Sequence, residues 1–238
     1  MTTLLNAVQP ATLLPADGTW FHNPAIQQGL LQAIWETLEM SFVATLITVL
    51  IGLPLGLALV ATSKGHLFPN PGVNSVLAVI VNFGRSIPFL ILAIAIMPFT
   101  RLVSGSTLGW KATVVPLVVG AVPYFARLVE SNILGIEWGK VEAAQMMGAS
   151  RSRILFDVLV REASAPLVQS ITILAVTIIG YGAMAGALGA GGLGQMAMNY
   201  GYSRFEPDVM VITVIMIAII VQLTQMIGDM ISRRVDHR

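Results

Sequence analysis

One glycine-rich segment has a spacing that is associated with cofactor chemistry. Gly189, Gly191 and Gly194 fit the pattern G-x-G-x-x-G, which in dinucleotide-binding proteins lets the backbone approach a pyrophosphate group at a helix N-terminus. That function needs a strand before the glycines, a helix after them and a suitably spaced acidic residue. Here the glycines follow a long uncharged stretch, so we interpret them as permitting a close helix crossing or a sharply turned segment.

Other patterns that support catalysis are missing from the sequence. It contains no G-x-x-x-x-G-K-[ST] loop for ATP phosphates and no cysteine for a thiolate nucleophile or a metal site. His22, His66 and His237 lie in three separate segments, and the 12 acidic residues form no close pair within a membrane span of the kind that hydrolysis or a proton relay requires. We therefore predict that the chain is not an enzyme and carries no cofactor or metal of its own.

The composition indicates a membrane protein. Of the 238 residues, 55% are hydrophobic and 11% are charged, whereas soluble domains carry about 25% charged residues. The net charge is +1, and no block of like charges could follow a phosphate backbone. We therefore expect a lipid environment and no nucleic-acid partner.

The gaps between charged residues locate the membrane spans, each of which needs about 20 apolar residues. The uncharged intervals 40–63, 163–203 and 209–228 are long enough, whereas 86–100 and 112–126 must extend through Arg85 and Arg127. We predict an all-α membrane protein with five transmembrane helices, at about 37–62, 76–100, 112–134, 165–187 and 209–231. They form one domain, 35–232, between a lead and interfacial segment at 1–34 and a tail at 233–238.

The distribution of basic residues orients these spans. Under the positive-inside rule, the cytoplasmic side is the one with eight basic residues in its segments: Lys64, Lys140, Arg151, Arg153, Arg161, Arg233, Arg234 and Arg238. The opposite side has three, namely Arg101, Lys111 and Arg204. We predict an extracytoplasmic N-terminus and a cytoplasmic C-terminus. Residues 1–34 contain no Lys or Arg, unlike a cleaved signal peptide, so we expect the first span to be retained.

Two of the predicted spans contain charged residues. Arg85, Ser86 and Pro88 place a charge and a helix breaker in the second span, which is typical of a hinge or wall of a transport path and equally of a snorkelling anchor with a structural kink. Arg127 and Glu130 are one turn apart, so we predict an ion pair on one helix face.

The fourth span and its sequel supply further candidates for a transport path. Tyr181 and Met184 are flanked by Gly180, Gly182 and Gly186. A methionine side chain offers a polarisable apolar lining, although it is also a common gap filler in helix packing. Gly191, in the outward-facing glycine-rich segment, is a third candidate for the path or its gate.

The segment between the third and fourth spans is too charged to insert into a membrane. Residues 139–166 read GKVEAAQMMGASRSRILFDVLVREASAP. We predict a short helix beginning near Glu142, a left-handed residue at Gly148 that ends it, and a second helix with one apolar face. The result is a rigid two-helix elbow, residues 135–162, on the cytoplasmic side; an ordinary amphipathic loop is the alternative.

This segment resembles a known motif. Glu142-Ala143-Ala144, followed by Gly148 and Ala149, is similar to the EAA motif of membrane subunits of bacterial ABC importers. In that family the pattern continues with Ile-x-Leu-Pro, where this chain has Val158-Leu159-Val160-Arg161. Pro166 is the candidate to replace the missing proline. Segments 81–89, 97–101 and 180–195 resemble methionine importer permeases, and the likeness extends over about residues 28–232.

The resemblance implies a function and an assembly. It implies that a homodimer in the bacterial inner membrane forms the path for a small solute, with methionine as the implied solute. Two cytoplasmic ABC ATPase subunits would bind ATP and Mg²⁺, and an extracytoplasmic lipoprotein would deliver the substrate. Coupling to the ATPases falls to Glu142, Ala143, Ala144, Gly148 and Ala149. Arg85, Ser86, Pro88, Tyr181, Met184 and Gly191 are the candidates for the path.

Other functions remain open at this point. An ABC permease for another amino acid or small solute would have the same architecture. A secondary transporter or channel acting alone would show inverted repeats and ionisable residues at the midplane, and the sequence shows no repeat.

Overall fold

The computed structural model describes residues 22–236, and every regular element there is helical, so the predicted all-α class is confirmed. The α-helices are α1 (Pro24–Thr62), α2 (Pro71–Ser86), α3 (Phe89–Ala95), α4 (Met97–Ser104), α5 (Trp110–Leu134), α6 (Trp138–Met146), α7 (Arg151–Arg153), α8 (Ser164–Ala185), α9 (Gly192–Met196) and α10 (Pro207–Val235). Two π-helical segments, Ile154–Val160 and Ala197–Tyr202, and one 3₁₀ turn, Gly186–Leu188, complete them. Most of the predicted lead, 1–21, and the last two residues of the predicted tail lie outside the described range.

Four helical stretches of the described chain are long and apolar enough to cross a membrane. They are Pro24–Thr62, Trp110–Leu134, Ser164–Tyr202 and Pro207–Val235. The pair α2 and α3 makes a fifth if the two helices count as one span, although they are bent by 102°. Residues 22–236 are therefore all-helical in their regular structure, with four or five candidate membrane spans, as in a membrane protein.

The first long helix begins well before the predicted span 37–62. Asn23 caps it, because the Asn23 side-chain oxygen accepts a hydrogen bond of 2.9 Å from the Ala25 N–H. Pro24 follows at the first helical position, where its missing N–H costs nothing. Both signals favour a helix start at this point, and α1 runs without a break to Thr62.

The predicted span 76–100 is not one continuous helix. Pro88 forces Ile87 into an extended conformation, with φ −87° and ψ 123°, because a proline ring crowds the residue before it. The chain then restarts as α3 and breaks again at Ile96, before α4. The kink that was expected at Pro88 is therefore a complete break, and α3 and α4 are separate short helices.

The core of the bundle is the contact between α1, α5 and α8. Met40 and Ala44 of α1, Leu117 and Phe125 of α5, and Leu174 of α8 belong to one cluster of buried side chains. Hydrocarbon tails are as apolar as these side chains, so close packing rather than exclusion of water holds such helices together.

Two glycines allow α1 and α5 to approach closely. A Cβ atom on Gly56 would lie 2.6 Å from the Ala126 carbonyl oxygen and 2.6 Å from the Val129 Cβ. One on Gly52 would lie 2.9 Å from the Phe125 ring. Small residues at these positions let two helix backbones come into contact, so Gly52 and Gly56 set the spacing of the central helix pair.

Polar side chains connect the helices at one end of the bundle. The Asn132 amide of α5 donates to the Ser170 hydroxyl of α8 at 2.8 Å and to the Pro166 carbonyl at 3.1 Å. The Ser232 hydroxyl of α10 donates to the Ala165 carbonyl at 3.2 Å. Such bonds avoid leaving polar groups unpaired in an apolar environment.

The ion pair that was expected between Arg127 and Glu130 is present. The same guanidinium donates to the Asn82 side-chain oxygen of α2 at 2.8 Å. Arg127 therefore connects α5 to α2, in addition to forming the expected ion pair within α5.

The glycine contact between α1 and α5 yields a stability prediction. Gly56→Ala should lower the unfolding temperature, because overpacking a closed contact costs about 1–3 kcal/mol. Gly29→Ala is the matched control, since a Cβ there would meet nothing within 4 Å and alanine is the better helix former. The measurement is thermal unfolding of the purified protein in detergent. An unfolding temperature for Gly56→Ala equal to or above that of Gly29→Ala would contradict the packing account.

Candidate functional site

The elbow, residues 135–162, begins with α6 and turns sharply at Gly148. Gly148 has φ +78°, the left-handed conformation predicted for it. The Gly148 N–H donates to the Gln145 carbonyl at 3.0 Å, and the Ala149 N–H donates to the Ala144 carbonyl at 3.0 Å. These two bonds form a Schellman motif, which satisfies the last carbonyls of a helix. The turn is therefore closed by its own backbone.

The EAA residues are divided between two faces of α6. Ala144 is 5% exposed and Val141 is fully buried, so both pack inward. Glu142 and Ala143 are exposed. The tip of the elbow is apolar and free in the single chain, because Met146 is 91% exposed and Met147 is 82% exposed.

The second arm of the elbow is α7 and the π-helical segment after it. Ile154, Leu155 and Leu159 are buried, in agreement with the predicted apolar face. Lys140 of α6 forms an ion pair with Glu162 at the end of this arm, which ties the two arms together. The arm ends in a turn at Ala163, and α8 starts at Ser164. Pro166 lies in the first turn of α8, so it follows the turn rather than ending the arm.

The loop between α1 and α2, residues 63–70, packs against the elbow and supports it. The His66 ring and the Trp138 ring of α6 form a T-shaped contact, with centroids 5.1 Å apart and planes 79° apart. The Arg151 guanidinium lies over the Phe68 ring at 5.8 Å, and Leu67 is buried in the main core. Burial lowers the pKa of His66 from its ordinary value of 6.5, because desolvation disfavours the charged imidazolium. The sequence does not reveal this support, since nothing in a Gly- and Pro-rich turn indicates which helix it will contact.

Two of the path candidates meet in a small cavity. Arg85 and Tyr181 both line a space of about 130 Å³ together with Phe89 and Tyr124. The Phe89 and Tyr181 rings are stacked, with centroids 4.5 Å apart and planes 3° apart, a favourable aromatic geometry. The structure therefore brings the break between α2 and α3 against α8.

The remaining path candidates are dispersed. Ser86 and Pro88 are exposed at the break itself, and the Ser86 hydroxyl donates to the Asn82 carbonyl at 2.8 Å. Met184, one turn beyond Tyr181, is 50% exposed. Gly191 lies apart from them, in the glycine-rich segment at the end of the bundle opposite the elbow.

The glycine-rich segment is a turned structure between two helices, as its composition indicated. Gly189, Gly191 and Gly192 have φ of +84°, +83° and +68°, so the chain reverses before α9. A helix precedes it in place of the strand that the dinucleotide fingerprint requires. The Gly189 carbonyl accepts a hydrogen bond of 2.8 Å from the Gly109 N–H, which fixes the turn to the start of α5.

Two side chains of α1 cap the short helix α9. The Glu36 carboxylate accepts a hydrogen bond of 2.8 Å from the Gly192 N–H, and the Thr37 hydroxyl accepts one of 2.9 Å from the Leu193 N–H. The Gln195 side-chain oxygen accepts from the Gly191 N–H at 2.6 Å. These acceptors satisfy amides that would otherwise be unpaired at a buried helix start.

Glu36 is the main functional candidate that the sequence analysis missed. It lies at the edge of an apolar span, where the first predicted helix was thought to begin. A carboxylate at such an edge was itself a signal, because acidic residues in membrane helices normally face protein or water. Gln32, one turn earlier, donates to Glu36 at 2.9 Å and holds it in place.

An open cavity of about 820 Å³ lies next to this cap. Its lining includes Glu36, Gly191, Arg204 and Glu206. The Asn23 amide donates to Glu206 at 2.8 Å and to Asp208 at 3.0 Å, so the starts of α1 and α10 are joined. Within residues 22–236 no group of three or more His, Asp or Glu side chains is placed to hold a metal ion.

The chain is similar to proteins of known function. The sequence profile described as "Binding-protein-dependent transport system inner membrane component" matches residues 52–238. The probable D-methionine transport system permease protein MetI of Vibrio cholerae is 46% identical over 209 residues, which are 88% of this chain and 93% of that protein. The methionine import system permease protein MetP of Bacillus subtilis is 46% identical over 74% of this chain and 80% of its own length.

A solved structure matches the fold described above. It is the MetNI methionine ABC transporter in an inward-facing conformation, with a TM-score of 0.88 and 42% sequence identity. The match covers 90% of this chain and 99% of the solved chain.

The cap on α9 can be tested by amide hydrogen exchange. In Glu36→Ala the Gly192 amide, which donates to the Glu36 carboxylate, should exchange roughly ten-fold faster or more, because leaving a buried N–H unpaired costs about 1–3 kcal/mol. Glu36→Gln, which keeps an acceptor oxygen, should restore part of the protection. Glu39→Ala, one turn along the same helix, is the control. Equal exchange in Glu36→Ala and Glu39→Ala would show that the carboxylate does not hold the turn.

The partly buried imidazole of His66 gives a prediction about pH. His66 has a folded-state pKa below its ordinary value of 6.5, so below about pH 6.5 the unfolded chain binds a proton that the folded chain does not. The unfolding temperature of the wild type should therefore fall between pH 7.5 and pH 5.5. His66→Phe keeps a ring against Trp138 without a titrating group and should lose less. An identical pH dependence in both proteins would rule out this role for His66.

Proposed function

The chain belongs to the family of binding-protein-dependent transport system inner membrane components, and on this premise we propose that it is the permease subunit of an ABC importer for methionine. The observation that carries the proposal is the 46% identity to a methionine permease over 88% of the chain. The chain is a multi-pass inner-membrane transport subunit, and its permease relatives are not enzymes. The energy for transport therefore comes from a partner.

The proposed assembly is that of an ABC importer. Two copies of the chain form the translocation path, and two ATPase subunits with ATP and Mg²⁺ bind on the cytoplasmic side. A substrate-binding lipoprotein delivers methionine to the opposite side. The excess of basic residues near the elbow and at the end of α10 supports a cytoplasmic position for both. The permease domain is then 35–232, with the N-terminus outside.

Coupling to the ATPases is assigned to the elbow. Glu142 and Ala143 are exposed on α6 next to the apolar tip, so they are available to a partner. A structural role is assigned to Ala144, Gly148 and Ala149, because their backbone groups close the Schellman turn. A displacement of α6 is passed on through the Lys140–Glu162 ion pair to the start of α8.

The path is assigned to the break before α3 and to the α8 face that meets it. A movement of α8 shifts Tyr181 against Phe89 and changes the cavity that Arg85 lines. Ser86 and Pro88 provide the flexible joint at this break. Met184 presents a thioether, which suits the side chain of a methionine substrate. Gly191 belongs to the outer turn, where the capped segment closes or opens the extracytoplasmic side.

The elbow predicts a specific loss of transport. Gly148→Val forces a branched side chain into a left-handed conformation, a strain of at least about 1–2 kcal/mol. The native turn should become roughly 5- to 30-fold less populated, and ATP-driven methionine uptake by vesicles containing the whole complex should fall accordingly. Gly139→Val is the matched control, since a Cβ on Gly139 of α6 meets nothing within 4 Å.

Two further measurements complete this experiment. Membrane insertion and expression of both variants should equal those of the wild type, because Gly148 is exposed and outside the spans. ATP hydrolysis by the complex is measured in parallel to detect uncoupling. Unchanged uptake in Gly148→Val, or an equal loss in Gly139→Val, would refute the coupling role of this turn. If the wild-type complex with its delivery protein takes up no methionine, the proposed substrate is wrong.

A further inference from the structure

One face of α10 changes from apolar to polar about halfway along its length. Val211, Ile215, Ala218, Gln222, Gln225 and Asp229 follow one another at intervals of four, three, four, three and four residues, and all six are exposed in the single chain. Intervals of three and four place residues on one face of a helix. The half nearer Pro207 is apolar, and the half nearer the elbow end is polar.

The rest of the chain does not cover this face. α10 packs on α8 through another side, where Thr213, Ile220 and Gly228 are buried. Gly228 lies directly against Thr172 of α8. Within residues 22–236 the side chains of Gln222, Gln225 and Asp229 have no hydrogen-bond partner. Whatever satisfies these groups is therefore water or another chain.

The two glutamines are too deep to reach lipid headgroups. Arg233 and Arg234 in the last turn of α10 mark the headgroup level, as basic residues at helix ends do. Gln225 is about 12 Å from Arg233 along the helix axis and Gln222 about 16 Å, at a rise of about 1.5 Å per residue. The hydrocarbon core is about 30 Å thick, so Gln222 lies near its middle.

An amide at that depth is unfavourable in contact with lipid tails, which offer no hydrogen-bond partner. Asp229, one turn nearer the headgroups, adds a charge to the same face. Polar residues inside membrane spans usually face a water-filled cavity or the interior of a bundle. On the same face, the residues from Ala218 toward Pro207 are apolar. The polar environment therefore ends near Ala218.

We propose that Gln222, Gln225 and Asp229 line a water-filled vestibule that opens to the cytoplasm and is formed between two copies of the chain. Val211, Ile215 and Ala218 line the part of the same path from which water is excluded. This inference rests on the proposed function, which supplies the second copy and the direction of transport.

The chemistry of the vestibule suits a zwitterionic amino acid that has to be released into the cytoplasm. The amides of Gln222 and Gln225 offer donors to a carboxylate and acceptors to an ammonium group, and they carry no net charge that would retain either one. At the level of the two glutamines, the vestibule therefore hydrates the substrate without a charge that would hold it tightly.

The absence of cysteine from the chain makes a clean labelling experiment possible. Single variants Gln222→Cys, Gln225→Cys and Ala218→Cys are assembled with the ATPase subunits in inside-out vesicles. A membrane-impermeant methanethiosulfonate is then applied to the cytoplasmic side. Leu223→Cys is the matched control, because Leu223 neighbours Gln222, is 52% exposed and lies on the apolar side. The complex without an introduced cysteine gives the background.

We expect the cysteines at 222 and 225 to react at least ten-fold faster than the one at 223, and the cysteine at 218 to react slowly. Modification at 222 or 225 should block methionine transport. Equal rates at 222, 223 and 225, or no reaction at 222 and 225, would overturn the vestibule. Disulfide formation between two copies at 222 without labelling would overturn it as well, because the face would then be a packed interface.

Uptake by the unlabelled variants separates the two proposals. If Gln222→Cys transports methionine before labelling but does not react, the vestibule is wrong and the importer function stands. If the complex without cysteine transports no methionine, the proposed function fails. Asp229→Cys provides a second position on the same face should one glutamine variant fail to assemble, with the same expected reactivity.

Discussion

The structure depends on one constraint: the interior of a bilayer offers no water to pair with backbone N–H and C=O groups. Long continuous helices satisfy most of this constraint by themselves, and α1, α5, α8 and α10 are of this kind. The exceptions are the carbonyls one turn before Pro54 in α1 and before Pro116 and Pro123 in α5, because proline has no N–H to donate. Because lipid does not drive such helices together, their association relies on close contact. Gly52 and Gly56 permit that contact between α1 and α5, and the rest of the bundle is arranged around this pair.

The same constraint explains what happens where helices are broken. The start of α9 leaves amides without an intrahelical partner, and Glu36, Thr37 and Gln195 accept their hydrogen bonds. A transport protein needs such breaks, since they are where the backbone can change shape. The chain therefore places polar side chains of one span against the interruption of another, and this makes the glycine-rich turn both ordered and dependent on α1.

The elbow follows the rules of a water-exposed structure instead. Its turn is closed by backbone bonds at Gly148, and its arms are joined by the exposed Lys140–Glu162 pair. Its buried side rests on the loop that holds His66 and Phe68. Because this compact segment is supported on one side and exposed on the other, we propose that it transmits a displacement from a partner to α8. The inner-membrane location and the transport role of the family agree with this arrangement.

The sequence by itself determined the helical class, the apolar spans and the left-handed turn at Gly148. Each of these depends on residues that are neighbours in the chain. The signals are runs of apolar side chains, spacing along a helix, and a glycine after a short amphipathic stretch. It also indicated the pairing of Arg127 with Glu130, which are one turn apart. Only the tertiary structure decided that Pro88 separates two helices at 102° and that Ala144 faces inward. The cap of Glu36 on Gly192 joins residues 156 positions apart. Such a contact depends on how helices that are distant in the sequence pack together. No local pattern in the chain indicates which distant amide a carboxylate will meet.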